Sequence, residues 1–279
     1  MPYAFKVTPG QKVKLRDYDP DYVAGLSKEQ AKAAFEAFDD ELDRLQEELY
    51  AAGQHSVLMI LQGLDTSGKD GTIRHVLQKI NPQGCRVEPF KVPTEEELAH
   101  DFLWRAHRVT PRKGMIGVFN RSYYEDVLVV RVHKLVPDEV WKARYSQIND
   151  FERMLAANGT IVVKFFLHVS KDEQEQRLLA REREVEKAWK LSAGDWKERQ
   201  YWDDYSVAYE DVLSRCSSDV APWYIVPANK KWYRNLAVSE ALVMTLREYC
   251  EGWRAALRTM SEERLAELAA LRTENHKRA

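Results

Sequence analysis

The sequence predicts an α/β fold, a three-layer sandwich in which a mostly parallel five-stranded sheet lies between helices. Three observations predict it. Five short apolar runs are bounded by glycine, proline and polar residues, as buried strands are. Segments with apolar residues at helical spacing separate them. The connections are long enough for crossovers, and strands alternating with helices argue for parallel pairing with helices on both faces.

The elements follow in order. Residues 1–27 read as irregular, punctuated by Pro2, Pro9, Gly10, Pro20 and Gly25. Ser27 caps a helix through about Tyr50, and Gly53 ends it. Its apolar residues Ala31, Ala34, Phe35, Phe38, Leu42, Leu45 and Leu49 recur at helical spacing. Val57–Leu61 is the first buried strand. A glycine-containing loop follows, then a helix from about Gly68 to Ile80, stopped by Asn81-Pro82-Gln83-Gly84. Cys85–Val92 is the second strand. Thr94 with Glu97 forms a capping-box pattern opening a helix to His107. Met115–Phe119 is the third strand, followed by helices over Tyr123–Val132 and Asp138–Asn158. Thr160–Val169 is the fourth strand, and Lys171 opens a long charged helix. Trp223–Val226 is the fifth. The loop Pro227–Arg234 then leads to a helix through Tyr249, and a separate charged helix spans Ser261–His276.

Bulk properties narrow the function. Lys and Arg number 42 against 44 Asp and Glu, a formal net charge of −2, so a global basic field for nucleic acid is excluded. Cys85, Cys216 and Cys250 are odd in number and widely spaced, as idle thiols of a reducing compartment are. The N-terminus carries no apolar core of signal-peptide length, and no run approaches the roughly 18 residues of a membrane span. A cytoplasmic protein with neither membrane nor nucleic acid as partner is expected.

In parallel sheets of this kind ligands bind at the carboxyl ends of strands. The loop after the first strand, Gly63-Leu-Asp-Thr-Ser-Gly68-Lys69, matches G-x-x-x-x-G-K between a strand and a helix. Its backbone N–H groups and the helix dipole would cradle a phosphate, and Lys69 would meet the transferring group. Gly63, Thr66, Ser67, Gly68, Lys69, Asp70 and Gly71 are therefore candidate phosphate contacts. Asp70 stands where a metal-ligating Ser or Thr usually follows the lysine. Asp65, inside the loop, reads as a Mg²⁺ ligand or as a base orienting an acceptor phosphate; its structural alternative is a helix cap.

After the third strand comes Asn120-Arg121-Ser122-Tyr123-Tyr124-Glu125-Asp126. Together with Gly63–Gly71, the run Phe119–Val127 resembles the two signature motifs of the polyphosphate kinase 2 family. The similarity extends through 92–97, 164–168, 189–190, 202–205 and 221–230, and covers about residues 5–250. The resemblance implies a P-loop kinase fold like that of thymidylate kinase. It implies phosphoryl transfer between inorganic polyphosphate and adenine nucleotides, with guanine as a second base, and dependence on Mg²⁺, with Mn²⁺ as the other candidate. The form Asn-Arg-Ser-x-Tyr-Glu-Asp-Val resembles the class that phosphorylates both AMP and ADP. A homodimer or homotetramer is implied, as is a helical lid. On that basis one domain holds the chain: extension 1–52, core 53–170 and 201–250, lid 171–200 and helical tail 251–279.

The expected catalytic set is Asp65, Lys69, Arg121 and Arg181, with Asp65 and Asp126 on the metal. Asn120, Arg121, Glu125, Arg131 and Arg177 join the phosphate and nucleotide contacts. Arg121 directly follows a strand end, although an ion pair to Glu125 or Asp126 is its alternative. The 171–200 segment carries eight basic and eight acidic residues, and Arg177 and Arg181 lie one turn apart on one face. Arg105, Arg108, Arg112 and Lys113 fit a polyanion channel or a solvated helix end equally well. Asn229–Lys231 is expected near the base. His107, His133 and His168 have no metal-ligand spacing. Two rival readings are an ATP-dependent nucleoside monophosphate kinase and a non-catalytic nucleotide-binding regulator.

Overall fold

The computed structural model describes residues 2–183 and 193–278, with side chains described as far as residue 273. Glu184, Glu186, Lys187, Trp189 and Lys190 of the expected lid lie outside the described residues.

The elements in chain order are β1 (Phe5–Lys6), α1 (Lys28–Ala52), β2 (Ser56–Gln62), α2 (Lys69–Val76) and β3 (Cys85–Pro89). Next come α3 (Glu95–Leu98), α4 (Trp104–His107), β4 (Ile116–Asn120), α5 (Val129–Val132), α6 (Asp138–Ala157) and β5 (Thr160–His168). The chain ends with α7 (Lys171–Arg183), α8 (Ala193–Glu198), α9 (Trp202–Arg215), β6 (Trp223–Pro227) and α10 (Lys231–Arg278).

The sheet has six strands in the order β1-β6-β5-β2-β4-β3. All neighbours pair in parallel except β1, which pairs antiparallel with β6 through Phe5 and Lys6. The expected five strands are present and β1 is the addition. Two residues carry no periodicity that a sequence could display, and only the free edge of β6 makes them a strand.

Strand alternation divides the core into two layers. Leu58 and Ile60 of β2 face a cluster with Phe119, Tyr123, Phe166 and Trp223. Val57, Met59 and Leu61 face the other cluster, with Leu42, Leu49, Val163, Leu242 and Trp253. The second layer is closed by α1 against α10. Ser27 supplies the expected capping box and Gly53 (φ 60°) the left-handed terminus of α1.

Three helical expectations are corrected. The helix to His107 is two short helices, α3 and α4, because Thr94 caps only the first and Asp101 turns the chain before Trp104. The helix over Tyr123–Val132 is a 3-10 turn, Tyr123–Asp126, followed by α5. The separate tail helix does not exist: α10 runs unbroken for 48 residues. Nothing between Tyr249 and Ser261 stops a helix, since Gly252 alone costs only about 1 kcal/mol.

β2 sends its chain to β3 and β4 on one side, while β5 and β6 lie on the other. The carboxyl end of β2 is thus a topological switch point, where such sheets open a crevice. The G-x-x-x-x-G-K loop occupies it.

Candidate active site

The loop between β2 and α2 holds three residues with positive φ: Gly63 (152°), Thr66 (64°) and Gly68 (101°). A side chain on Gly68 would overlap the guanidinium of Arg234, and one on Gly63 would come within 2.9 Å of the Leu167 carbonyl. The glycines are therefore required by close approach as well as by backbone angle. Thr66 Oγ1 and Ser67 Oγ are buried with no hydrogen-bond partner among the described residues. Buried hydroxyls left unpaired in a phosphate-loop motif are what an absent anion would satisfy.

Lys69 is 8% exposed and donates to the carbonyls of Gly63 (2.7 Å) and Leu64 (3.2 Å). Among the described residues no carboxylate forms an ion pair with it. Burial lowers its ammonium to about 8, and the nearby Arg121 charge adds to this.

At the end of β4, Asn120 Nδ2 donates to Asp70 Oδ1 at 2.8 Å, so two expected phosphate contacts hold each other across the mouth of the loop. Arg121 has φ 62°, an uncommon value for a side-chain-bearing residue, and its N–H donates to Leu61 O at 3.0 Å. Its guanidinium is shared between Asp65 and Glu125, the latter at 3.1 Å. Glu125, then Asp65, hold it in the charged form. The expected ion-pair alternative is thus present for Glu125 but not for Asp126. Glu125 Oε1 is buried and has no partner among the described residues. Asp126 accepts from Arg144 Nη1 at 3.0 Å, and burial lifts its carboxyl to about 6 despite that pair.

The lid arginines are engaged as well. Arg177 donates to the carbonyls of Thr66 (2.9 Å), Ser67 (3.2 Å), Ala228 (2.7 Å) and Asn229 (2.9 Å), and pairs with Glu173. Its donors stitch the phosphate loop to the β6–α10 loop, and its side chain also lines the basic cleft described below. Arg181 Nη1 meets Asp195 Oδ2 at 2.9 Å. Arg131 pairs with Asp211 (2.7 Å), bonds Tyr145 and stacks over Trp141 at 4.6 Å. Its guanidinium is engaged by these packing contacts and, among the described residues, it lines neither cleft at the loop. Asn229 holds Ser170 and Asp21, and Lys230 pairs with Asp21, so this stretch fastens the N-terminal segment.

Sequence reasoning missed Arg234. It is 3% exposed, bonds Asn235 Oδ1 and Ser67 O, and has no carboxylate partner among the described residues. Burial, then the charge of Arg177, lowers it to about 9. No local motif distinguishes it from an ordinary first-turn arginine; only the fold sets it against Gly68. Arg105 resolves toward the site, stacked over Phe90 at 5.0 Å and bonded to Lys91 O, while Arg108 stacks on half-buried Trp104.

Two clefts meet at the loop. One, of about 740 Å³, is entered by Gly63, Leu64 and Asp65 and contains Arg105, Arg121, Glu125, Asp126 and Arg144. Its walls include Phe90, Val92, Pro93, Leu98, Val130, Leu135 and Trp202, of which Val92, Leu98 and Leu135 are strongly exposed. The other, of about 890 Å³, is entered by Thr66, Gly68 and Gly71. Among the described residues it is lined by Lys28, Lys32, Arg177, Arg181, Lys230, Lys231 and Arg234 against the one acid Glu29.

Among the described residues no cluster of three or more His, Cys, Asp or Glu could hold a metal by itself. A cation shared with substrate phosphates needs only one or two protein carboxylates. Asp65 and the unpartnered oxygen of Glu125 are hard donors of that kind in the same cleft, and so fit a magnesium-like ion.

Comparison with known proteins agrees with this geometry. A relative from Meiothermus ruber named AMP/ADP-polyphosphate phosphotransferase is 53% identical over 244 residues, 87% of this chain and 91% of that protein. One from Rhodopseudomonas palustris named ADP-polyphosphate phosphotransferase is 51% identical, covering 87% and 88%. The crystal structure of polyphosphate kinase 2 from Arthrobacter aurescens TC1 superposes with a TM-score of 0.84 at 45% identity, covering 87% and 88% of the two chains. The family profile described as polyphosphate kinase 2 matches residues 25–251, and the chain belongs to that family.

Proposed function

We propose that the protein transfers phosphoryl groups from inorganic polyphosphate to AMP and ADP, reversibly, giving ADP and ATP. The observation that carries this is Lys69: a buried ammonium with no carboxylate ion pair among the described residues, at the end of the loop where two dissimilar clefts meet. The cleft with exposed apolar walls suits a nucleoside, whose base would cover them. The basic cleft suits a polyanion with no apolar part. The relatives' names supply both substrates.

The reaction asks for positioning and charge neutralisation more than covalent catalysis. Lys69 would meet the transferring group from below, and Arg121 from the β4 end. Thr66 and Ser67 would give their unpaired hydroxyls to phosphate oxygens, with Arg234 behind the loop. Asp65, with Glu125 or Asp126, would hold Mg²⁺, or Mn²⁺ in its place, and the ion would neutralise phosphate charge when bound. Asp65 is held by Arg121 in this structure, so substrate and cation together would divide that pair. Three free cysteines fit the cytoplasmic setting expected from the sequence. Among the described residues no helix is long and apolar enough to cross a membrane.

Incubation of the purified protein with AMP, long-chain polyphosphate and Mg²⁺, resolving AMP, ADP and ATP over time, tests the reading. ADP followed by ATP is expected, and both should vanish in Lys69→Ala. ADP alone would restrict the activity to the first transfer. Product from ATP but none from polyphosphate, with either acceptor, would replace it with an ATP-dependent nucleoside monophosphate kinase.

A further inference from the structure

The arginine offered by α7 is already occupied by an acid of the same segment. Arg181 Nη1 donates to Asp195 Oδ2 at 2.9 Å, with the side chains only 25% and 20% exposed. Asp195 lies on α8 and is within electrostatic reach of Asp65, Arg121 and Lys69. Burial and the negative charge of Asp65 both raise its carboxyl, against the pull of Arg181. The pattern matches that of Arg121, held by Asp65 and Glu125. Arg121 and Arg181, two cations expected to meet phosphate, thus each carry an acidic partner from the chain itself.

We propose that Asp195 is an internal competitor for Arg181, which a phosphate of the polyphosphate chain must displace, so that Asp195 sets the affinity of the site for that substrate. The inference rests on the reading of Arg181 as a phosphate contact. A bidentate phosphate contact needs both donors of one guanidinium edge, and Asp195 holds Nη1, so carboxylate and phosphate compete for that nitrogen. The polyphosphate wins when bound because it brings many oxygens to several cations at once, but each displaced ion pair subtracts from its binding. Removing the carboxylate frees Arg181 and relieves Asp65 of a like charge. Asp195 is therefore a positioning residue, acting through Arg181.

The test uses Asp195→Asn in the full chain, with initial rates against polyphosphate at saturating AMP and calorimetric titration of polyphosphate without nucleotide. KM and Kd for polyphosphate should each fall about fivefold, the order expected of a partly buried pair. Turnover and KM for AMP should stay within about twofold, since the nucleotide lies in the other cleft. Glu182→Gln is the structural control: it weakens the 2.9 Å contact of Trp196 Nε1 with Glu182, which also joins α7 to α8, and should leave polyphosphate affinity unchanged. Unchanged affinity in Asp195→Asn, or lost turnover at unchanged KM, would overturn the proposal. An equal gain in Glu182→Gln would do so too. Arg181→Ala separates the two readings. If it leaves KM for polyphosphate unaltered, the assignment of Arg181 itself fails; if it raises KM while Asp195→Asn has no effect, only the competition fails.

Discussion

Lys164 and Lys69 are both buried lysines next to the central strands, and they differ in what surrounds them. Lys164, in the middle of β5, bonds Glu152 (2.5 Å), Tyr124 Oη (3.0 Å) and Cys216 O (2.6 Å), and neither it nor Glu152 is more than 1% exposed. Glu152 accepts also from Tyr123 and Tyr124. Every charge in that network has its partner. Lys69 has two neutral carbonyls, two unpaired hydroxyls nearby and a lowered pKa. A closed network specifies packing; an open one marks where something else must bind.

Substitutions at the two lysines should separate these roles. Lys69→Ala should reduce turnover by about a thousandfold, as loss of a preorganised charge on the transferring group does, with little change in thermal unfolding. Asp65→Asn should also cost orders of magnitude if Asp65 holds the cation. Wild-type turnover in either would break the comparison at its functional end. Lys164→Ala leaves Glu152 buried without its counter-charge and should destabilise the fold by about 3–5 kcal/mol. Denaturant unfolding measures this, and replacing Glu152 with Leu in the same chain should restore part of the loss.

Arg234→Ala should raise KM for polyphosphate about tenfold while sparing KM for AMP, given its place in the basic cleft. Equal effects on both substrates would mean that it only props the loop. The smallest effect concerns pH. Burial lowers the Lys69 ammonium of the free protein to about 8, below the ordinary lysine value, so its charged form is lost as pH rises through that region. Accordingly kcat/KM should fall above about pH 8, up to tenfold per unit. Bound phosphates would restore the counter-charge and raise this pKa, so kcat should hold to higher pH. A flat kcat/KM to pH 10 would mean that the ammonium is not needed in the free protein.

The fold was largely legible in the sequence because buried parallel strands are short apolar runs, and β2, β4, β5 and β6 each declare themselves. The phosphate loop was equally plain, since a tight strand-to-helix turn over an anion demands Gly63, Gly68 and Lys69 at fixed spacing. What local pattern cannot express was decided in three dimensions. Arg234 is 166 residues from Gly68 in sequence, and only the meeting of α10 with the loop buries it there. Arg131 and Arg177 carry the same side chain as Arg121, yet Asp211 and four backbone carbonyls claim them. A guanidinium binds whichever acceptor the fold places nearest, and that geometry is a property of the packed chain.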